Sequence, residues 1–198
     1  MIRLFAPVVL FVLLAPLAAA PVPKAAKAKP DYYPLGMGTK WEYVRNENPN
    51  DVWHEEVTGV EEQGGAKVAT VHIKPTNNPT GYDTSYQVDK DGWYFVSQAG
   101  VLYDPPAKFV SADPKPGDSW EVKYTMNGTE YEATATVGAE EEVTVPAGKY
   151  TALPITMTFT KPPQRRPYTN WIVPGVGMVK QVAGGRTTQE LKSYTDGK

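Results

Sequence analysis

Between Thr151 and Thr160 the chain alternates with a period of two. Leu153, Ile155, Met157 and Phe159 are separated by Pro154, Thr156, Thr158 and Thr160, which predicts a strand with one buried face and one wet face. A second stretch repeats the pattern, with Ala69, Val71 and Ile73 inward and Thr70 and His72 outward. Turn chemistry punctuates these runs. Val145-Pro146-Ala147-Gly148 places Pro second and Gly fourth, the type I signature. Asp89-Lys90-Asp91-Gly92 separates Tyr86-Gln87-Val88 from Trp93-Tyr94-Phe95-Val96, with a glycine able to take the left-handed conformation that closes hairpins. Beyond the N-terminal segment no stretch has the 3.6-residue period of an amphipathic helix.

The pattern is written twice. Gly38-Thr39-Lys40-Trp41-Glu42-Tyr43 aligns with Gly117-Asp118-Ser119-Trp120-Glu121-Val122 at an offset of 79. Ala66-Lys67-Val68 aligns with Gly148-Lys149-Tyr150 at 82, and Thr84-Ser85-Tyr86-Gln87-Val88 with Thr169-Asn170-Trp171-Ile172-Val173 at 85. Three matches in one order predict an internal duplication. Residues 32–104 form one unit and 112–198 the other, joined by a proline-rich crossing at 105–111. The expected fold is all-β and antiparallel, with two pseudo-repeated five-stranded units sharing one core as a half-barrel or a sandwich. Alternation alone does not choose between those two forms.

Composition agrees with many turns joining short strands: the chain has 19 Pro, 17 Gly and 12 Tyr. Residues 1–20 combine Arg3, an apolar run from Leu4 to Leu17 and a small-residue end, and read as a signal peptide. Residues 21–31, rich in Pro, Ala and Lys, read as an unpacked linker. The expected location is therefore exported, periplasmic or extracellular, with no membrane insertion after signal cleavage. The sequence has no cysteine, so neither disulfides nor a thioether-linked lipid can form on it. Lys plus Arg number 20 and Asp plus Glu 22, a balance that gives no general attraction to nucleic acid.

Candidate chemistry is sparse. His54 and His72 are the two histidines. Glu55 is expected on the opposite strand face from His54, so no third ligand completes a zinc site. Ser85, Ser97, Ser111, Ser119 and Ser193 include no nucleophile elbow. Asp89-x-Asp91-Gly92 lacks the further ligands of a calcium loop and reads as a turn. Glu140-Glu141-Glu142 reads as a solvated strand end, and Arg165-Arg166, flanked by prolines, as a loop tip. No cofactor is expected.

The aromatics are the distinctive resource. Trp41 and Trp120 hold equivalent places in the two units, as do Tyr86 and Trp171, and repeated aromatics are assigned to the core. Trp53 aligns with Glu132 and Trp93 with Met178. These unrepeated tryptophans, with Tyr94 and Tyr103, are the candidate ligand-binding residues.

Three segments also carry a family likeness: Tyr32-Tyr33-Pro34-Leu35 followed by Gly38 and Trp41; Val145-Pro146-Ala147-Gly148-Lys149-Tyr150; and Trp171 with Pro174-Gly175-Val176-Gly177. In these the chain resembles a family of exported bacterial proteins of unknown function. The resemblance implies an antiparallel β architecture in the cell envelope and no assigned activity. The expected function is non-catalytic binding of an apolar or amphipathic ligand, or of an envelope protein partner. A carboxylate-based hydrolase of envelope polymers and a structural or assembly module are the alternatives.

Overall fold

The computed structural model describes residues 32–161 and 165–197. The expected signal peptide and linker lie outside the described residues. Thirteen antiparallel strands follow one another without a helix among the described residues. They are β1 (Lys40–Arg45), β2 (Asn48–Gln63), β3 (Ala66–Pro75), β4 (Tyr82–Asp89), β5 (Gly92–Gln98), β6 (Val101–Ser111) and β7 (Ser119–Met126). They continue as β8 (Thr129–Val137), β9 (Glu141–Val145), β10 (Gly148–Phe159), β11 (Tyr168–Val173), β12 (Gly177–Ala183) and β13 (Arg186–Thr195).

Each strand from β1 to β8 pairs with its neighbour in sequence, as does each from β9 to β13; β13 also pairs with β1, and β10 with both β8 and β11. The sheet therefore closes on itself as a barrel of twelve strands, with β9 attached to the first part of β10 outside the ring. This corrects the expected half-barrel or sandwich, and the expected five strands per unit. All three architectures bury one face of every strand, so period-two alternation is the same in each. What decides closure is the β13–β1 ladder, a pairing between the two ends of the chain.

The crossing expected at 105–111 is instead the second half of β6. Pro105 and Pro106 are tolerated there because β6 and β7 share a single ladder pair, Asp104 with Thr125. Residues without an N–H cost least where little is bonded. Trp120 Nε1 donates across the same seam to the Lys108 carbonyl at 3.4 Å.

Eight strands already enclose an interior that wall side chains fill, so twelve enclose more than the wall can fill. At one end the excess is taken up by large side chains and by the chain's own start. Tyr33 and Leu35 insert there and are 5% and 1% exposed, beside the fully buried Trp41, Tyr43, Ile155 and Leu191. Trp41 Nε1 donates to Val176 O at 2.7 Å and Tyr43 Oη to Met178 O at 2.9 Å, tying β1 to the β11–β12 turn and β12.

One glycine is fixed by close approach. At Gly92, where φ is +150°, an added Cβ would stand 2.2 Å from the Val110 carbonyl oxygen. Gly92→Ala is expected to cost about 2–3 kcal/mol, because β5 and β6 would have to part. Urea unfolding measures this, and a loss below about 1 kcal/mol would show that the two strands separate cheaply.

Candidate functional site

The strand directions put the β1–β2, β3–β4, β5–β6 and β7–β8 turns at the end of the barrel opposite the Tyr33 and Leu35 plug. Here the packing loosens into two hollows of about 260 and 110 Å³ that share Phe95, Gln98, Phe109 and Tyr168 as walls. They are lobes of one interior, in the size range of small-ligand pockets.

The wall of this interior is two-sided. Five inward positions on neighbouring strands are polar: Asn170 on β11, Gln181 on β12, Gln189 on β13, Arg45 on β1 and Glu55 on β2. The far arc, β5 to β10, is mainly apolar and aromatic, with Phe95, Phe109, Tyr124, Ala133 and Met157, and is broken by Gln98 on β5 and Lys108 on β6. Within the polar arc Gln181 Nε2 donates to Asn170 Oδ1 at 3.0 Å, and Thr188 Oγ1 donates to Gln181 Oε1 at 2.7 Å. Arg45 lies over the Trp53 ring, its guanidinium carbon 3.8 Å from the centroid, and its Nε is buried without a hydrogen-bond partner. On the other side Arg165 lies over Tyr131 at 4.5 Å. Its positive charge opposes the upward pull of burial on the Tyr103 and Tyr124 hydroxyls.

Glu55 is 7% exposed and bonded to the Tyr33 hydroxyl. Burial pushes its carboxyl up to about 7, against the opposing pull of Arg45 and of that bond. The expected separation of Glu55 from His54 holds. His54 points outward to Glu42 at 3.1 Å, and His72 outward to Asp83 at 2.8 Å. Among the described residues no group of three His, Cys, Asp or Glu could hold a metal ion. Asp89 Oδ1 accepts from the backbone of Asp91 and Gly92 at 2.8 and 3.1 Å, an Asx turn.

Ladder pairs give the register around the two tryptophans that align in sequence. Trp41 sits opposite Glu55 and Tyr43 opposite Trp53, whereas Trp120 sits opposite Ala135 and Val122 opposite Ala133. By these registers Trp53 has the place beside Tyr43 that Ala133 has beside Val122, and Glu55 the place beside Trp41 that Ala135 has beside Trp120. Tyr86 and Trp171 are not mates. Tyr86 is buried in the interior, and Trp171 points away from the cavity beside Asn170, with Nε1 on Glu141. The sequence alignment is therefore one residue out of step with the strand faces, and a one-residue slip exchanges inside for outside.

Of the four candidate binding residues, the structure brings Trp53 and Tyr103 to the cavity and puts Trp93 at its base. Tyr103 stacks on Phe95 at 5.7 Å. Trp93, 5% exposed, stacks on Tyr33 at 4.4 Å as part of the packed end. Tyr94 faces outward under Lys108, 5.5 Å from its ring centroid, and takes no part. Arg45, Glu55 and Gln189 were missed because isolated polar residues within strands carry no motif. The signal available was their parity: Arg45 alternates with Trp41 and Tyr43, Glu55 with Trp53 and Val57, and Gln189 with Leu191.

The interior wall carries one carboxylate among the described residues, Glu55. The next acid of the same parity on β2 is Asp51, four residues away, or about 13 Å along a strand. Two-carboxylate glycoside hydrolysis needs about 5–9.5 Å, so this pair does not fit.

No protein-family model matches the chain, and no curated protein matches it. The chain is similar to two solved structures. One, from Parabacteroides distasonis, carries the provisional name of a lipoprotein and aligns with a TM-score of 0.54 at 16% identity, over 85% of this chain and 100% of its own. The other, from Bacteroides fragilis, is provisionally named an exported protein with a YmcC-like fold and aligns with a TM-score of 0.53 at 13% identity, over 84% and 99%. At these identities the likeness is one of fold, and neither name carries an activity.

Proposed function

We propose that this protein is a non-catalytic binder that holds a small amphipathic molecule in the open end of its barrel. The observation that carries this reading is the two-sided cavity, with polar groups on neighbouring strands facing an aromatic arc. A molecule with one polar end and one apolar body satisfies both walls. Large apolar side chains exposed at the surface stand singly, Met37 before β1 and Leu102 on β6, which favours the interior over a surface patch. We place the protein in the cell envelope, in keeping with its signal-like start and with the provisional names of the structures it resembles. The outer wall, with Lys40, Glu42, Glu121, Lys123, Lys180 and Glu190 paired across it, is that of a barrel in water rather than in lipid. A tandem duplication accounts for one pair of matched contacts: Gly38 N donates to Val57 O and Gly117 N to Val137 O, each at 2.9 Å.

The test is native mass spectrometry of the purified protein after exposure to an envelope lipid extract, beside Ala133→Phe, which fills the apolar lobe. The wild type is expected to retain a small amphiphile and the filled variant to lose it at least tenfold. The strain of overpacking is about 1–3 kcal/mol, which circular dichroism monitors as a lower melting temperature of an intact fold. Equal retention by both proteins would move the site elsewhere.

A further inference from the structure

We infer that the polar end of the ligand is an anion, and that the guanidinium of Arg45 receives it. The inference rests on the binding role proposed above and names the chemistry of that same site.

Arg45 is a charge placed on the inner wall without a carboxylate at ion-pair distance. Among the described residues no carboxylate comes within 4.0 Å of it, and every ion pair formed there uses another cation. Its Nε is buried and unpartnered. A donor shut away from water without an acceptor is costly, and a charged one more so, unless something else completes it. The side chain nonetheless has a neighbour, with its guanidinium carbon over the Trp53 ring at 3.8 Å from the centroid. A guanidinium over an aromatic ring keeps its N–H groups for an acceptor such as a carboxylate or a similar planar anion, and the Nε of Arg45 has none of its own.

The neighbours suit the same ligand. The Gln189 amide lines the same hollow on the adjacent β13 and has no side-chain hydrogen bond of its own. It supplies a second donor to an anionic head. Opposite stand Phe95 and Phe109, where an apolar tail lies. Arg165, across the opening, adds positive potential at the mouth. The acids that act on Arg45 are Asp51 and Glu55 of β2, together with the hydroxyl of Tyr82 on β4. Buried Glu55 is held largely neutral below pH 7 and so leaves the guanidinium to the ligand in that range. Above it, an ionised Glu55 competes with the anion.

The second half of the barrel offers the comparison. By its ladder place the mate of Arg45 is Tyr124, opposite Tyr131. The mates of Trp53 and Glu55 are Ala133 and Ala135. The cation, its aromatic platform and the carboxyl therefore occur together in one half and are all absent from equivalent places in the other. Core packing alone does not demand them.

Isothermal titration of the purified protein at pH 6 with decanoate, decyl sulfate and decan-1-ol tests the inference. The expected result is that decanoate binds at least tenfold more tightly than decan-1-ol. Arg45→Met, which keeps an apolar stem on Trp53, is expected to remove that difference without changing the affinity for decan-1-ol, and Arg45→Lys to restore part of it. Decyl sulfate separates a carboxylate-shaped pocket from a general anion site; binding of either anion above the alcohol supports the inference. Equal binding of anions and alcohol overturns it and leaves the binding role standing. Absence of binding by all three overturns both. Should Arg45→Met fail to fold, nitrogen-15 spectra of the wild type give the answer. The protected arginine Nε–H resonance is expected to shift with decanoate and stay in place with decan-1-ol, and no shift with either counts against Arg45.

Discussion

Stability is expected to fall by about 3 kcal/mol as pH rises from 4.5 to 7, and the fall is expected to vanish in Glu55→Gln. The cause is the burial of Glu55 in the barrel, which raises its carboxyl from 4.5 to about 7. The unfolded chain loses this proton near pH 4.5, while the native protein keeps it to near pH 7. Between those values the native state binds more protons, so unfolding becomes easier as pH climbs, and above about 7 the loss is complete. Glutamine keeps the shape and a hydrogen bond for Tyr33 without a proton to lose. In urea melts at pH 5 and pH 8, the wild type should lose about 3 kcal/mol relative to Glu55→Gln, or about 6–12 °C in thermal midpoint. Parallel pH profiles would mean that Glu55 is solvated or ion-paired in solution. Glu55→Ala separates the two parts of the effect, since it removes the charge and also leaves Tyr33 without its acceptor.

The strand content of this molecule was legible because the physics behind it is local. Thr151 to Thr160 could be read as a strand from alternation alone, and Asp89 to Gly92 as a turn from its acid and its glycine. Barrel closure was not legible, because it rests on contacts such as Trp41 with Tyr194, whose ladder joins residues at opposite ends of the chain. The proline-rich stretch from Asp104 misled for a related reason. Proline signals an interruption only where a ladder needs its N–H, and the sequence does not show that β6 meets β7 at one pair.

The site was half legible. The rule that function lies where the two halves differ led to Trp53 and Trp93, and it reached one wall of the cavity. It overshot at Tyr94, whose face is decided by its register with Lys108. It undershot at Glu55 and Arg45, which line the same hollow as Trp53. A slip of one residue exchanges inside for outside. Once the register is known, the same rule points to Arg45, Trp53 and Glu55 together.

The second large effect is expected at Tyr33, which precedes the first strand and would look like part of a tail. Its ring lies between Trp41, 5.0 Å away at an interplanar angle of 24°, and Trp93, 4.4 Å away at 14°. Its hydroxyl is bonded to Glu55. Tyr33→Ala opens a void between two tryptophans at the packed end and is expected to cost about 3–5 kcal/mol in urea unfolding. Tyr33→Phe keeps the stack and removes the hydroxyl's bonds to Glu55 and Tyr86; the first was holding the Glu55 carboxyl down, so that carboxyl rises further. Tyr33→Phe should therefore be nearly neutral at pH 5, where Glu55 is protonated in either protein, and cost about 1–2 kcal/mol more at pH 8. In Glu55→Gln the pH dependence of the Phe substitution should disappear, a double-mutant cycle that isolates the pair. A cost below about 1 kcal/mol for Tyr33→Ala would show that the segment is an ornament on a barrel already full. The expected cost makes it the piece that closes one end of an interior too wide for its own wall.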